Sequence, residues 1–433
     1  MDHLCDTAGR GGCVLFTAFE PSGDLLAAPV IETLRRQHPQ LDIWAFGGSR
    51  MQEAGATLLD QTTDRPVMMG HAITEAWRHR QRLRRLRRFL AEHRVAALVP
   101  VDSPAANWSI CKLIRRHAPA AKIVHLPAPQ VWAWAGWRVA RLRRLTDHVL
   151  CVLPFERDWF EQRGIRSTFI GHPIYNEQGD RAATDKRIDP PAPNGTFKLA
   201  LLPGSRPGEV SANWPTMLET YRDLHTRHRD LVALVAAADS SIAQRITSLT
   251  RQLGETSAPS RNLDLRVGQT DAVLAWCDVA LIVSGTATLQ AAAHRTPMVA
   301  LFKVSRLAWH LAGRWIVRTR PLTLPNLISE ANGDGPVIPE LVPHLGGAGP
   351  VTGALESLIV DAKARQRQID LLDRVGQSFR GTQFAQAACR CLLAEIEAPR
   401  DAETGVGDQT GIGGNRTGAA GQQATPTTLP PTG

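Results

Sequence analysis

The sequence predicts an α/β fold in which two doubly wound parallel sheets face a cleft and helices close the chain. Three observations carry this expectation: short continuous Val/Ile/Leu runs between helix-length polar intervals, the occurrence of that series twice, and a polar, Pro-rich stretch dividing the two series. Continuous apolar runs suit strands buried on both faces, as parallel sheets demand, whereas alternation would suit a half-solvated sheet. At 433 residues the chain suits two or three domains.

The first series comprises 13–17, 41–46, 96–101, 122–126 and 148–153, and the second 198–202, 231–236, 263–267, 279–283 and 298–302. Between them, Gln178-Gly179-Asp180 and Pro190-Pro191-Ala192-Pro193 read as a linker over 176–194. The expected organisation is therefore a first lobe over 1–175, the linker, a second lobe over 195–350, helices over 351–399 and a tail over 400–433. Apolar residues return at helical spacing in 351–399, among them Leu355, Leu358, Leu372, Val375 and Leu392. The tail is Gly, Thr, Gln and Pro with few large apolar residues, so it is expected to be disordered.

Hydrophobic residues at 43% and charged residues at 21% exclude collagen-like, wholly disordered and disulfide-scaffold classes. Fifty Lys+Arg against 41 Asp+Glu leave a formal charge of +9, which favours an anionic partner: nucleic acid, acidic lipid or a phosphorylated substrate. Seven scattered cysteines without a CxxC pair or zinc spacing predict reduced thiols and no metal. No run approaches the roughly 18 apolar residues of a membrane span and no apolar leader opens the chain, so a cytoplasmic protein is expected.

In such sheets ligands bind beyond the carboxyl ends of the strands, so the loops there are where chemistry is sought. The first strand runs into Glu20-Pro21-Ser22-Gly23-Asp24, where Ser22 or Asp24 suits a helix cap and Gly23 a close backbone approach. The third ends in Val101-Asp102-Ser103-Pro104; Pro104 keeps Ser103 extended and leaves Asp102 at the strand tip, as a turn residue or a general base. Two tryptophans, Trp132 and Trp134, follow the fourth strand, as core or as part of a site.

In the second lobe, Pro203-Gly204-Ser205-Arg206 leaves a strand with Arg206 poised for an anion, because its planar fork makes paired bonds to phosphate. Ser284, Gly285, Thr286, Ala287, Thr288, Leu289 and Gln290 open a helix after another strand. Small residues there expose N–H groups at a positive helix end, a means of holding a diphosphate without a Walker lysine. Two basic apolar stretches remain. One has Trp77 with Arg84, Arg85, Arg87 and Arg88; the other runs over 303–320. Both suit an acidic membrane surface more than RNA or DNA, for which no motif is present.

Read in order, these junctions resemble the lipid-A-disaccharide synthase family, inverting transferases of the GT-B class. The matching segments include Glu20 to Leu25, Phe46-Gly47-Gly48-Ser49-Arg50-Met51, Pro129 to Trp134, Leu153-Pro154-Phe155-Glu156, Gly171-His172-Pro173, Leu201 to Arg206, Ser284 to Leu289 and Leu324-Pro325-Asn326-Leu327-Ile328. The resemblance implies transfer of 2,3-diacylglucosamine from UDP-2,3-diacylglucosamine to 2,3-diacylglucosamine 1-phosphate, giving a β-1,6 disaccharide and UDP. It implies Asp102 as base, and a UDP site at Gly204, Ser205, Arg206, Ser284, Gly285, Thr286, Ala287 and Gln290. It further implies an acceptor cleft around Glu20, Ser22, Gly23, Asp24, Trp132 and Asn326, no cofactor, and peripheral attachment to the acidic cytoplasmic face of the inner membrane. Phe19, Ala105, Ala128, Gln290 and Pro343 depart from the family pattern, with Gln290 standing where a Glu is usual. Other readings are a GT-B epimerase, a transferase of unacylated sugars, or a basic RNA- or lipid-binding protein. The sequence leaves the oligomeric state open, a homo-oligomer among the options.

Overall fold

Burial along the whole length of β1 (Cys13–Thr17) marks it as a central strand, as its unbroken apolar run requires. The computed structural model describes residues 12–63, 72–102, 104–176, 188, 194–195, 197–254, 262–304 and 321–398. Nearly all of the expected linker, the whole expected tail over 400–433 and residues 305–320 of the second basic stretch lie outside them. Residues Met1–Ala398 form one compact unit.

After β1 come α1 (Pro21–Gln37), β2 (Ile43–Gly47), α2 (Ser49–Glu53), β3 (Thr57–Gln61), α3 (Ala72–Glu92), β4 (Val95–Pro100), α4 (Pro104–His117) and β5 (Lys122–His125). Then follow α5 (Val131–Trp134), a 3-10 turn (Gly136–Arg138), α6 (Val139–Leu145), β6 (His148–Cys151), α7 (Glu156–Glu161), β7 (Ser167–Phe169) and α8 (Pro173–Asn176). The strands form one parallel sheet ordered β3-β2-β1-β4-β5-β6-β7.

The second sheet is ordered β10-β9-β8-β11-β12-β13 and is also parallel. Its elements are β8 (Phe197–Leu202), α9 (Pro207–Arg227), β9 (Leu231–Ala237), α10 (Ser240–Gln252), β10 (Leu263–Val267), α11 (Thr270–Trp276), β11 (Val279–Val283), α12 (Thr286–Ala293), β12 (Met298–Lys303), α13 (Leu324–Ala331) and β13 (Glu340–His344). In the first sheet the strand order reverses between β1 and β4, in the second between β8 and β11. Such reversals open the crevice in which doubly wound sheets bind ligands. The loops carrying Glu20, Asp102, Arg206 and Gly285 leave these four strands, and the Trp132 loop leaves β5.

Three helices close the described chain: α14 (Gly349–Val360), α15 (Ala362–Gln377) and α16 (Phe384–Glu397). Although consecutive, they serve different sheets. Val351, Leu355 and Leu358 of α14 pack with Leu281 and Leu301 of the second sheet. Phe384, Ala388 and Leu392 of α16 share a core with Val30, Leu34, Val99 and Val124 of the first lobe. Cys389 Sγ donates to Val30 O at 3.4 Å, and Glu395 Oε1 meets His148 Nδ1 at 2.9 Å and Arg166 Nη1 at 2.7 Å. Burial of the His148 ring lowers its pKa below the ordinary histidine value. Tyr175 stacks on Phe379 with ring centroids 4.1 Å apart.

Candidate active site

Helix α1 forms because Ala27, Val30, Ile31 and Leu34 recur on one buried face, and Pro21 occupies its first turn. Its N-cap is Glu20, with no side-chain cap, so neither Ser22 nor Asp24 plays the capping role expected for this helix. Ser22 Oγ donates instead to Asp102 Oδ2 at 2.9 Å. Asp24 is buried and accepts from the backbone N–H groups of Gly48, Arg50 and Met51 at 2.9–3.1 Å. Its carboxylate therefore caps α2 and fixes the Gly47-Gly48-Ser49 turn, which removes it from the acceptor cleft. Gly23 is needed for packing: a Cβ there would stand 3.2 Å from Ala18 Cβ and 3.4 Å from Asp102 Cβ. Its absence lets α1 lie against the tip of β4.

Asp102 adopts φ +55°, a left-handed conformation uncommon outside glycine. Hydrogen bonds hold it there. Its N–H donates to Leu126 O at 3.0 Å, and Asn107 Nδ2 donates to Val101 O and Asp102 O at 3.1 and 3.2 Å. Asn107 Oδ1 in turn accepts from Thr17 Oγ1 at 2.6 Å. The base candidate and the Glu20–Ser22 turn thus meet at the reversal between β1 and β4. Beside them lies His125, fully buried, with Nδ1 2.9 Å from Pro127 O and Nε2 without a partner. Burial pushes its pKa down to about 4, so at neutral pH the ring adds no positive charge near Asp102.

In the second lobe Gly204 takes φ +115°, and Arg206 is the exposed N-cap of α9. The N–H groups of Ser205 and Arg206 do not stand open as the sequence suggests. Both donate to Glu209 Oε2, at 3.2 and 3.3 Å, and Arg206 Nη1 bonds Glu209 Oε1 at 3.0 Å. The chain's own carboxylate occupies the turn at which an anion was expected. At the second junction Gly285 caps α12, while Gly285 and Thr286 are exposed, and Thr288 Oγ1 donates back to Gly285 O at 2.7 Å. Gln290 Nε2 donates to Asp271 Oδ1 at 2.7 Å, an oxygen that also meets His294 Nε2 at 3.1 Å. Asp271 on α11 thus brings a carboxylate to the turn of helix where a Glu was missing.

A profile of lipid-A-disaccharide synthetases matches residues 14–390. The chain is 31% identical over 383 residues to the lipid-A-disaccharide synthase of Pseudomonas aeruginosa (strain PAO1), covering 87% of this chain and 96% of that one. It is 32% identical to the corresponding enzyme of Anaeromyxobacter dehalogenans (strain 2CP-C), covering 84% and 93%. The chain belongs to the lipid-A-disaccharide synthase family.

As a lipid-A-disaccharide synthase family member it is a UDP-sugar glycosyltransferase of GT-B architecture. Solved structures bear out the fold. The glycotransferase of kitacinnamycin aligns with TM-score 0.56 at 15% identity, covering 89% of this chain and 99% of that one. A putative UDP-N-acetylglucosamine 2-epimerase from Listeria monocytogenes aligns with TM-score 0.57 at 12% identity, covering 89% and 95%.

The remaining expected positions of this synthase family member divide. Trp132 is half-buried, its ring edge-on to Phe155 and its Nε1 donating to Glu156 Oε1 at 3.0 Å. Glu156 is fully buried and also accepts from Val152 N and Leu153 N at 3.1 and 3.0 Å. Desolvation outweighs these bonds and raises its pKa to about 7. Asn326 is buried with both amide ends bonded, accepting from Val337 N and Ile338 N at 2.7 and 2.9 Å and donating to Ile338 O and Glu340 Oε1 at 2.9 and 2.8 Å. It pins the segment leading into β13. On α3, Trp77, Arg84, Arg87 and Arg88 are exposed, and Arg85 bonds Asp60 at 2.8 Å. Among the described residues no helix is long and apolar enough to cross a membrane.

Proposed function

We propose that this chain transfers 2,3-diacylglucosamine from UDP-2,3-diacylglucosamine to the 6-hydroxyl of 2,3-diacylglucosamine 1-phosphate, with Asp102 as the general base. Asp102 takes the hydroxyl proton as the oxygen attacks the anomeric carbon from the face opposite UDP. The anomeric carbon's bond to the phosphate oxygen breaks, UDP carries away the negative charge, and the configuration inverts. One observation carries the assignment of the base: a carboxylate held in a left-handed conformation at the reversal point of the first sheet, with Ser22 bonded to it. By holding one carboxylate oxygen, Ser22 orients the other, which collects the proton.

Arg206 and the exposed start of α12 stabilise the charge that grows on the diphosphate. Gln290 and Asp271 receive the ribose, with Asp271 supplying the stronger acceptor. Glu20 and Trp132 line the acceptor side, and the basic apolar faces rest on an acidic membrane that presents the acylated substrates. Purified protein incubated with both diacylated substrates should release UDP and form a disaccharide 1-phosphate. Absence of UDP release, or turnover with deacylated substrates alone, refutes the reading.

A further inference from the structure

We infer that the carboxyl rim of the first sheet carries a second membrane-seating patch, Trp137 with Arg141, Arg143 and Arg144, flanked by Leu25, and that its partner is an anionic lipid surface. This deepens the proposed function and rests on it, since the rim is where Asp102 would receive a lipid-borne acceptor.

Among the described residues the two exposed tryptophans are Trp77 and Trp137, at 60% and 67% of full exposure, and Leu25 stands at 60%. Leaving an indole in water forfeits one of the largest burial gains any side chain offers, unless an interface receives it. The three share one level of the fold. Asn107 of α4 bonds the backbone at Val101 and Asp102, which sets the height of that tip. Two residues further on, Ser109 Oγ meets His79 Nε2 of α3 at 2.6 Å. Both helices run antiparallel to the strands, so Trp77, two residues before His79, stands level with Asn107 and hence with Asp102. Leu25 opens the second turn of α1, about one turn beyond Ser22, which touches Asp102.

The other half of the rim is built on Trp108, next to Asn107. Arg138 and Arg141 place their guanidinium groups 5.3 and 4.4 Å from the Trp108 ring, and Arg138 lies 4.8 Å from the Trp137 ring. The result is an alternating stack of aromatic faces and cations, continued by the exposed Arg143 and Arg144 on α6. Arg141, with the exposed Arg143 and Arg144, supplies cations for phosphate oxygens, while the exposed indole of Trp137 enters the headgroup layer. Apolar insertion and anion pairing together are the pattern of an interfacial lipid site, whereas a nucleic-acid groove would pair aromatics with unstacked bases.

The test uses the full chain sedimented with vesicles of phosphatidylethanolamine containing phosphatidylglycerol, and with zwitterionic vesicles of phosphatidylcholine. Trp137→Ser should lower partition onto the anionic vesicles about tenfold, from the apolar area lost. Adding Leu25→Ser should lower it further, and Arg141→Gln with Arg143→Gln and Arg144→Gln should erase the preference for anionic lipid. Circular dichroism and UDP affinity, which reads the other lobe, check that each variant folds. Trp137→Gln, which removes the apolar ring and brings no charge, should fold and lose the insertion alone. Unchanged partition of folded Trp137→Ser and Trp137→Gln, with Trp77→Ser abolishing it, confines the contact to α3 and overturns the inference. Retention by RNA but not by anionic vesicles overturns it as well. Neither result touches UDP release from detergent-dispersed substrates, which tests the transferase reading separately.

Discussion

Ser22 Oγ donates to Asp102 Oδ2 at 2.9 Å, joining residues 80 positions apart at the mouth of the first sheet. The bond occupies one carboxylate oxygen and leaves the other to meet a substrate hydroxyl. Asp102→Asn should therefore lower turnover by roughly two to four orders of magnitude while leaving the UDP dissociation constant unchanged. Ser22→Ala removes only the orienting donor and should cost about tenfold in kcat. Steady-state UDP release and calorimetric titration with UDP separate the two effects. Equal loss of both in Asp102→Asn would make the residue a structural one.

Arg206 is tied to Glu209, and its guanidinium is largely exposed. Arg206→Ala should weaken UDP binding by about tenfold or more, and Arg206→Lys should fall between, because an ammonium keeps the charge and loses the paired geometry. Equilibrium titration with UDP measures both. An unchanged constant in the alanine variant would take Arg206 out of the nucleotide site.

Glu156 imposes a pH dependence on stability. Its folded pKa, about 7, lies above the ordinary carboxylate value of 4.5, so between these values the folded state holds a proton that the unfolded chain has released. Its contribution is fully present below pH 4.5 and is lost as pH rises through about 7, a change of roughly 3 kcal/mol at most. Urea unfolding of the protein and of Glu156→Gln across pH 5 to 8 should show the difference between them moving against the carboxylate as pH rises. A constant difference would place the ionised form comfortably in the core.

Asn326→Ala should cost roughly 3 kcal/mol, because it strands two backbone donors and one backbone acceptor that are buried. Chemical denaturation reads the loss. Under native conditions the variant should still bind UDP, as a packing residue would allow; selective loss of substrate affinity at unchanged stability would return it to the site.

The central strands were legible because burial on both faces writes an unbroken apolar run, as in 279–283. The edge strands β3, β7 and β13 were not read from the sequence. Thr57-Leu58-Leu59-Asp60-Gln61 is half-exposed and mixes polar with apolar residues, Ser167-Thr168-Phe169 is short, and β13 contains Pro343, which argues against an interior strand. The junctions that carry Asp102, Arg206 and Gly285 were visible from loop composition alone. What Asp24, Asn326 and Glu209 do was not, because each is a polar residue in a loop whose partner, backbone or substrate, is decided by tertiary contact. Asp271 and Glu156 were missed for the same reason. The nearest signal was the Gln at 290, which asks where the absent carboxylate went.

The packing of α16 against β4, β5 and α1 has a consequence for how the protein is made. The first lobe's last structural piece follows the whole of the second lobe in the chain, so a nascent polypeptide emerging from the ribosome keeps the groove beside Val30 and Leu34 uncovered until the second lobe has been made. Premature termination before Phe384 would release a molecule whose second sheet is whole and whose first is unfinished, a ready target for chaperones and proteases.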